Sequence, residues 1–512
     1  MKIKSALSDY WENQPLTVIV WIAVLLRLLA VIFAKGWGML DDHFLVIEIA
    51  QSWVDDGNFN HWLPWDEENE GPRGHTFFYA GLHFLLFSFF KWINLDDPQT
   101  KMLFVRLLHA AFSMIVVVLG YKITKKISGK KSARLSGLLL AALWFMPWAS
   151  VRNLVEVVAI PFLFISTWMI LNAGEKQRPL LTFLLAGFVA GIAFSVRYQT
   201  MIYAGGMGLA LLFRKEIREA IVFGIGYLLS MAVFQGLVDF FIWGTPFAEF
   251  IQYVLYNLEY RYDYITGPWY NYLLLLFILL IPPVSLFLLA GMFSHIKKHL
   301  IIFLPVIIFL AFHSYFPNKQ ERFILTIVPF MVILGVAGWQ SRMQTQSFLK
   351  RNRKLVRGGW IFFWVVNVIL LAAVSTMYSK RAQAETMTYL SRYHDVKAVV
   401  VDNRDYGGIQ LMPQFYLGEW IEIYEITKVR PVRLLHRSIA YEGPEPRFFI
   451  FIRDENLDER LEAVKEYFPD IAFETRIDPG FVDKVMHWIN PHNKNEEIYI
   501  YRNLKYFPGQ VR

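Results

Sequence analysis

A helical, multi-pass membrane protein ending in a small soluble α/β domain is the architecture this sequence predicts, on three observations. Of its 512 residues 55% are hydrophobic and 17% aromatic, and the apolar ones gather into blocks of about twenty, the length that crosses a bilayer core as a helix. Basic residues collect in the short loops between those blocks. Beyond about residue 380 the blocks cease and short strand-like runs replace them.

The first block, about residues 15 to 35, has no small-residue cleavage site after it and is followed by many others. It reads as a retained span rather than a signal peptide. Further blocks lie near 76–95, 103–121, 133–149, 155–172, 181–196, 200–213, 219–242, 270–293, 299–314, 323–340 and 358–376. The membrane domain is therefore expected over 1–378 and the α/β domain over 379–512. Strand-like runs in the latter are Lys397–Val401, Trp420–Ile426, Arg447–Arg453 and Glu497–Tyr501, with a helical stretch at Leu461–Phe468.

Loop charge orients the spans. Lys122, Lys125, Lys126, Lys130, Lys131 and Arg134 share one loop, and Arg342, Lys350, Arg351, Arg353, Lys354 and Arg357 another. With Lys176 and Arg178, with Arg214, Lys215 and Arg218, and with Lys297 and Lys298, they alternate onto one side, the cytoplasmic one. A cytoplasmic N-terminus then requires that one early block not cross. Block 76–95, interrupted by His83 and Lys91, is expected at or re-entering the outer interface, leaving about eleven spans. The outer face then carries the loop 36–75, the Arg152 and Arg197 corners, the loops 243–269 and 313–322, and the C-terminal domain.

This distribution accounts for the formal charge of +8 without a nucleic-acid partner. With no cysteine in the chain, disulfides, thiolate catalysis and zinc–thiolate sites are excluded. The twelve histidines are scattered without ligand spacing, and no carboxylate cluster has the form of a cation cage, so neither metal nor cofactor is expected.

Several polar groups interrupt the apolar pattern on the expected outer side. Asp41, Phe44 and Glu48 fall at i, i+3 and i+7, one helical face, with Asp42 beside them. Asp41 either caps a short interfacial helix or serves as a general base at the membrane surface. The break His313–Phe323 contains Asn318, Lys319, Gln320, Glu321 and Arg322. Its cations either snorkel to headgroups or hold a lipid-linked phosphate. Asp239, Trp269 and Tyr272 belong to an aromatic outer loop that is either an interfacial belt or the wall of a sugar pocket. Arg73, Arg106, Arg152 with Glu156, and Arg197 sit at or inside apolar blocks, where a charge needs a partner or a wet cavity. In the C-terminal domain, Val399–Asp402 running into Asn403–Gly408 is a strand and Gly-containing loop, an ordinary turn more often than a phosphate cradle.

Four of these segments together resemble family 22 of the GT-C glycosyltransferases, the polyprenyl-phosphate-mannose-dependent mannosyltransferases of N-glycan and glycolipid-anchor assembly. The family's Pro-Asp-Glu-x-Phe-Gln-x-x-Glu is similar to Leu40-Asp41-Asp42-His43-Phe44-Leu45-Val46-Ile47-Glu48. Its His-Lys-Glu-x-Arg-Phe resembles Asn318-Lys319-Gln320-Glu321-Arg322-Phe323, and its Asp-Ser-x-x-Tyr-Gly resembles Asp239-Phe240-Phe241-Ile242-Trp243-Gly244. Gly267-Pro268-Trp269-x-x-Tyr272 looks like its Gly-x-x-Pro-Trp-x-Tyr loop, slightly shortened. Departures are Asp42 for Glu, Leu45 for Gln, Asn318 for His and Gln320 for Glu, which remove polar and ionisable groups from the donor site.

The resemblance implies a GT-C helical fold and an inverting transfer of a hexose, mannose in the family, from a polyprenyl-phosphate donor to a glycan or glycolipid acceptor in the bilayer. Asp41, with Asp42, would be the catalytic acid pair, and Lys319 and Arg322 would bind the donor phosphate. Glu48, Arg73, Arg152, Glu156, Arg197, Asp239, Trp269, Tyr272, Asn318, Gln320 and Glu321 would line the pocket. The long C-terminal domain, and the absence of an Asn-X-Ser/Thr sequon, point to a bacterial plasma membrane with an extracytoplasmic site, the alternative being the endoplasmic reticulum. A transporter or flippase of lipid-linked glycans is the rival class. It would show inverted repeats and Gly/Pro-broken helices in matching halves, and no such symmetry is visible. A ligase or polymerase moving a whole glycan is the second rival.

Overall fold

The computed structural model describes residues 10–59, 71–72, 75–173, 179–404, 411–453, 456–491 and 497–507. Contacts divide the chain into two compact units, one of Met1–Ile32, Glu70–Leu82 and Val105–Thr376, the other of Phe33–Asn69, His83–Phe104 and Met377–Arg512.

The first unit is helical. Among the described residues six helices are long and apolar enough to cross a membrane: Pro15–Phe33, Pro98–Ala142, Val155–Asn172, Ile217–Trp243, Glu321–Thr345 and Arg353–Ser375. Shorter apolar helices are Phe77–Trp92, Leu180–Val196, Thr200–Phe213 and Leu300–Tyr315. Length alone therefore separates the expected blocks into two classes. Block 76–95, expected at the interface, is one of the short ones.

Element Pro98–Ala142 is two helices joined at Gly129, whose φ of 83° breaks the helical path. Ser136 Oγ donates to Thr124 Oγ1 at 2.7 Å, a twelve-residue separation that only a reversal of the chain can bring together. Blocks 103–121 and 133–149 are thus arms of one hairpin, with the lysine-rich loop as its tip. Block 270–293 is instead two helices, Asn271–Leu279 and Val284–Met292, because Pro282 and Pro283 supply no backbone N–H to carry the ladder across.

Small residues let these helices approach closely, as membrane helices must when apolar burial no longer drives association. A Cβ on Gly187 would lie 1.9 Å from the Phe223 carbonyl oxygen, and one on Gly226 2.0 Å from that of Leu184. Backbones of Leu180–Val196 and Ile217–Met231 are therefore in direct contact. Polar groups inside the bundle find carbonyls: Arg27 donates to Ser113 Oγ at 2.7 Å and the Ala141 carbonyl at 3.3 Å. Asn367 bridges Trp144 N–H and the Ala142 carbonyl at 2.9 and 2.7 Å.

The second unit contains a five-stranded sheet: β1 Ala398–Asp402, β2 Glu422–Ile426, β3 Phe448–Ile452, β4 Ile471–Ile477 and β5 Ile498–Asn503, ordered β2-β1-β3-β5-β4. β1 is parallel to β2 and β3, whereas β5 is antiparallel to β3 and β4. β1 and β3 are buried along their whole length, as expected of central strands covered on both faces. Helices Arg381–Leu390, Val432–Glu442, Leu457–Lys465 and Phe481–Ile489 belong to the same unit. So do the first-loop helices Leu40–His43 and Ile49–Asp56 and the π-turn Phe44–Glu48 between them. Glu48 accepts from Phe415 N–H at 3.1 Å and Asp55 from Trp420 Nε1 at 3.0 Å, which ties the first loop to the segment before β2.

Candidate active site

Three charged side chains of the first unit meet at helix junctions. Glu156 stands in the first turn of Val155–Val158, where a carboxylate complements the helix dipole. Arg197 is the extended residue closing Leu180–Val196 (φ −149°, ψ 111°), and Arg322 lies in the 3-10 stretch Glu321–Ile327. Glu156 Oε1 is 2.9 Å from Arg197 Nη2 and 3.6 Å from Arg322 Nε. Glu156 is fully buried, and both arginine residues are less than a tenth exposed. Arg197 Nε is buried without a hydrogen-bond partner among the described residues. A buried guanidinium with an unsatisfied N–H favours an anion as its next partner.

The loop carrying Arg322 is held from two sides. Lys319 N–H donates to the Ile265 carbonyl at 2.8 Å, Thr266 bridges Asn318, and Tyr272 donates to the Gln320 carbonyl at 3.1 Å. The Lys319 ammonium donates to the carbonyls of His313 and Ser314 at 2.8 Å each and to that of Phe316, closing the C-terminal end of Leu300–Tyr315. An ammonium has three N–H donors, and here all three hold carbonyls. Lys319 thereby shapes the loop, while Arg322, which also donates to Gln320 Oε1 at 2.9 Å, is turned to Glu156.

A second buried polar cluster joins Gln235 and Asp239 to Glu249 of helix Ala248–Glu259. Gln235 donates to Asp239 at 2.8 Å and to Glu249 at 3.1 Å, while Asp239 accepts from Glu249 N–H at 3.1 Å. Glu249 also accepts from Phe77 N–H at 2.9 Å. Burial, then the charge of Asp239, holds the Glu249 carboxyl well above the usual carboxylate range. Tyr253 of the same helix packs against Tyr198, ring centroids 5.1 Å apart and the planes tilted by 57°, and burial raises its pKa against the opposing charge of Arg197.

The first-loop acids are in the second unit. Asp41 and Asp42 occupy the first turn of Leu40–His43, and the N-cap position is Met39, which makes no side-chain cap hydrogen bond. Asp41 is half-buried and Asp42 buried. The π-turn inserts one residue after His43, so Glu48 comes back to His43 at i+5, 3.4 Å away. His43 stacks on Trp37 at 4.6 Å and on Tyr416 at 5.4 Å. Burial raises the Glu48 carboxyl above its ordinary range, with His43 opposing.

Of the pocket residues read from the sequence, Glu156, Arg197 and Arg322 form one cluster, with Gln320, Asn318 and Tyr272 in the loop framework around it. Arg152, buried with its guanidinium 5.0 Å from the Trp148 ring, precedes Glu156 through a non-helical bend, so the expected one-turn spacing of that pair does not hold. Trp269 is 66% exposed and Glu321 is exposed. Arg73 lies outside the described residues. Glu249 and Gln235 were not among the expected residues, although Gln235 and Asp239 at i, i+4 share a helix face that signals the pair.

Comparison with known proteins matches these segments. The profile of the Alg9-like mannosyltransferase family covers residues 18–414. No curated protein sequence matches the chain. Among solved structures, ArnT from Cupriavidus metallidurans is similar both in the apo state (TM-score 0.60, 11% identity) and bound to undecaprenyl phosphate (0.58, 12%). Each alignment covers 94% of this chain and 97% of ArnT. The Archaeoglobus fulgidus oligosaccharyltransferase, in complex with Zn and sulfate, aligns at TM-score 0.51 and 12% identity over 90% of this chain and 72% of its own. At such identities the likeness concerns the fold, which is the GT-C arrangement.

Proposed function

The chain belongs to the Alg9-like mannosyltransferase family, and from that premise we propose that this multi-pass membrane glycosyltransferase moves mannose from a polyprenyl-phosphate donor to a glycan or glycolipid acceptor, inverting the anomeric centre. The observation that carries the reading is the buried Glu156–Arg197–Arg322 cluster, whose Arg322 belongs to the segment that resembles the family's Lys-x-x-Arg motif. Undecaprenyl phosphate on the similarly folded ArnT is in keeping with a polyprenyl-phosphate donor.

In this mechanism Arg322 and Arg197 take the donor phosphate, and Lys319 fixes the loop that presents Arg322. Asp41 removes the proton of the acceptor hydroxyl as its oxygen attacks the anomeric carbon from the face opposite the phosphate. The C–O bond to phosphate breaks and polyprenyl phosphate leaves, its gathering charge met by the guanidinium groups. Asp42 and Glu48 hold the shape of the first-loop helix around Asp41. The charge pattern of the loops supports an extracytoplasmic site, and the long C-terminal region and the absence of an Asn-X-Ser/Thr sequon favour a bacterial plasma membrane.

Membranes containing the protein, supplied with radiolabelled polyprenyl-phosphate mannose, test this. Transfer of label to a glycolipid, lost in Asp41→Asn, is expected. Movement of labelled glycolipid across the bilayer without sugar transfer would assign the chain to the transporter class instead.

A further inference from the structure

Helix Phe481–Ile489 of the second unit turns an apolar face outward. Phe481 (81% exposed), Val485 (37%), Trp488 (83%) and Ile489 (64%) recur at i, i+4, i+7 and i+8, whereas Asp483 on the opposite face is buried. Lys484 edges the exposed face, its ammonium 3.6 Å from Asp478.

The place where this helix starts is fixed by its own unit. A Cβ on Gly480 would lie 3.0 Å from the Tyr378 carbonyl oxygen, so Gly480 packs on that backbone. Beside it, Ser379 N–H donates to the Lys35 carbonyl at 3.1 Å, and the Lys35 ammonium sits 5.8 Å from the Tyr378 ring. Tyr378 is the third residue past Ser375, the end of apolar helix Arg353–Ser375, and Lys35 the second past Phe33, the end of Pro15–Phe33. Three residues of chain reach at most about 11 Å. The ends of two membrane-crossing helices thus lie within a few residues of the backbone on which Gly480 packs, and such ends mark the bilayer surface.

We propose that Phe481–Ile489 is an interfacial helix that docks the C-terminal region onto lipid, with Phe481, Val485, Trp488 and Ile489 in the headgroup–acyl boundary and Lys484 reaching headgroup phosphates. Tryptophan prefers this zone, and an amphipathic helix there buries its apolar face about 5–10 Å deep. A lipid surface is the occupant because the helix is continuous, through Gly480, Tyr378 and Ser379, with the mouths of two spans.

The chain contains no cysteine, so single Phe481→Cys, Val485→Cys and Trp488→Cys variants of the full-length protein can be spin-labelled in lipid nanodiscs. Val429→Cys, at a site 89% exposed in the loop after β2, gives the comparison. Collision with oxygen relative to a water-soluble nickel chelate is expected to be several-fold higher at 481, 485 and 488 than at 429. Equal ratios at all four sites would overturn the proposal by showing the face in water. Labels at 481, 485 and 488 that are immobilised and shielded from both reagents would overturn it equally, by showing a protein surface there.

Discussion

At the scale of single residues, the donor-binding role proposed for Arg322 and the loop-holding contacts of Lys319 call for different outcomes on substitution. Arg322→Gln removes charge-assisted hydrogen bonds worth about 1.5–3 kcal/mol, so the donor KM should rise tenfold to a hundredfold in initial-rate assays while the melting temperature stays close to that of the parent. Lys319→Met should behave in the reverse sense. It frees three carbonyls at the end of Leu300–Tyr315, and a clear fall in thermal stability in detergent should accompany its loss of activity. Glu48 adds a pH signature. Its carboxyl is raised by burial, so the native state keeps a proton that the unfolded chain releases. Native protein then binds more protons than unfolded protein, and stability falls as pH rises from the ordinary carboxylate range through the raised value. Glu48→Gln keeps an acceptor for Phe415 N–H and removes this slope. Melting curves from pH 4 to pH 8 should be flatter for the variant, and parallel curves would refute the assignment.

At the scale of elements, the apolar blocks were legible because a lipid-crossing segment must be apolar along its whole length, whatever its neighbours do. Helix Thr200–Phe213 coincides with its block for that reason. The interruptions were less legible. The π-turns Phe44–Glu48 and Ala232–Gly236 each shift the helical register by one residue, and a 3.6-residue period cannot register the insertion. That is why Glu48 pairs with His43 rather than simply sharing a face with Asp41. Glu249 was hidden because its helix lies in an aromatic-rich loop whose composition matches an interfacial belt. In the C-terminal region, β1 and β3 stood out as continuous apolar runs, whereas helix Phe481–Ile489 faces outward and lacks the polar outer face that marks an ordinary surface helix. The close crossing of Leu180–Val196 on Ile217–Met231 rests on Gly187 and Gly226, whose places would be taken by backbone atoms about 2 Å away. Gly226→Leu should cost at least about 1–3 kcal/mol through overpacking, seen as a lower melting temperature of the detergent-solubilised protein, whereas Gly224→Leu, facing open space, should be close to neutral.

At the scale of the whole molecule, the helical unit carries Arg197 and Arg322, and the second unit, built from the first loop and the C-terminal sheet, carries Asp41 and Asp42. The sequence named Asp41 and Arg322 through segments that resemble family motifs, and Arg197 only as a charge at the end of an apolar block. It gave no sign that the segment before β2 would bind the first-loop helix through Glu48 and Asp55, since contacts more than three hundred positions apart leave no local signature. The catalytic proposal joins the two sets: an acid that takes the acceptor proton and guanidinium groups that hold the phosphate it displaces. Single-turnover transfer from radiolabelled polyprenyl-phosphate mannose by the Asp41→Asn variant tests that union most directly. The expected result is a rate about 10²–10⁴-fold below the parent with donor binding unchanged; transfer at the parental rate would contradict it.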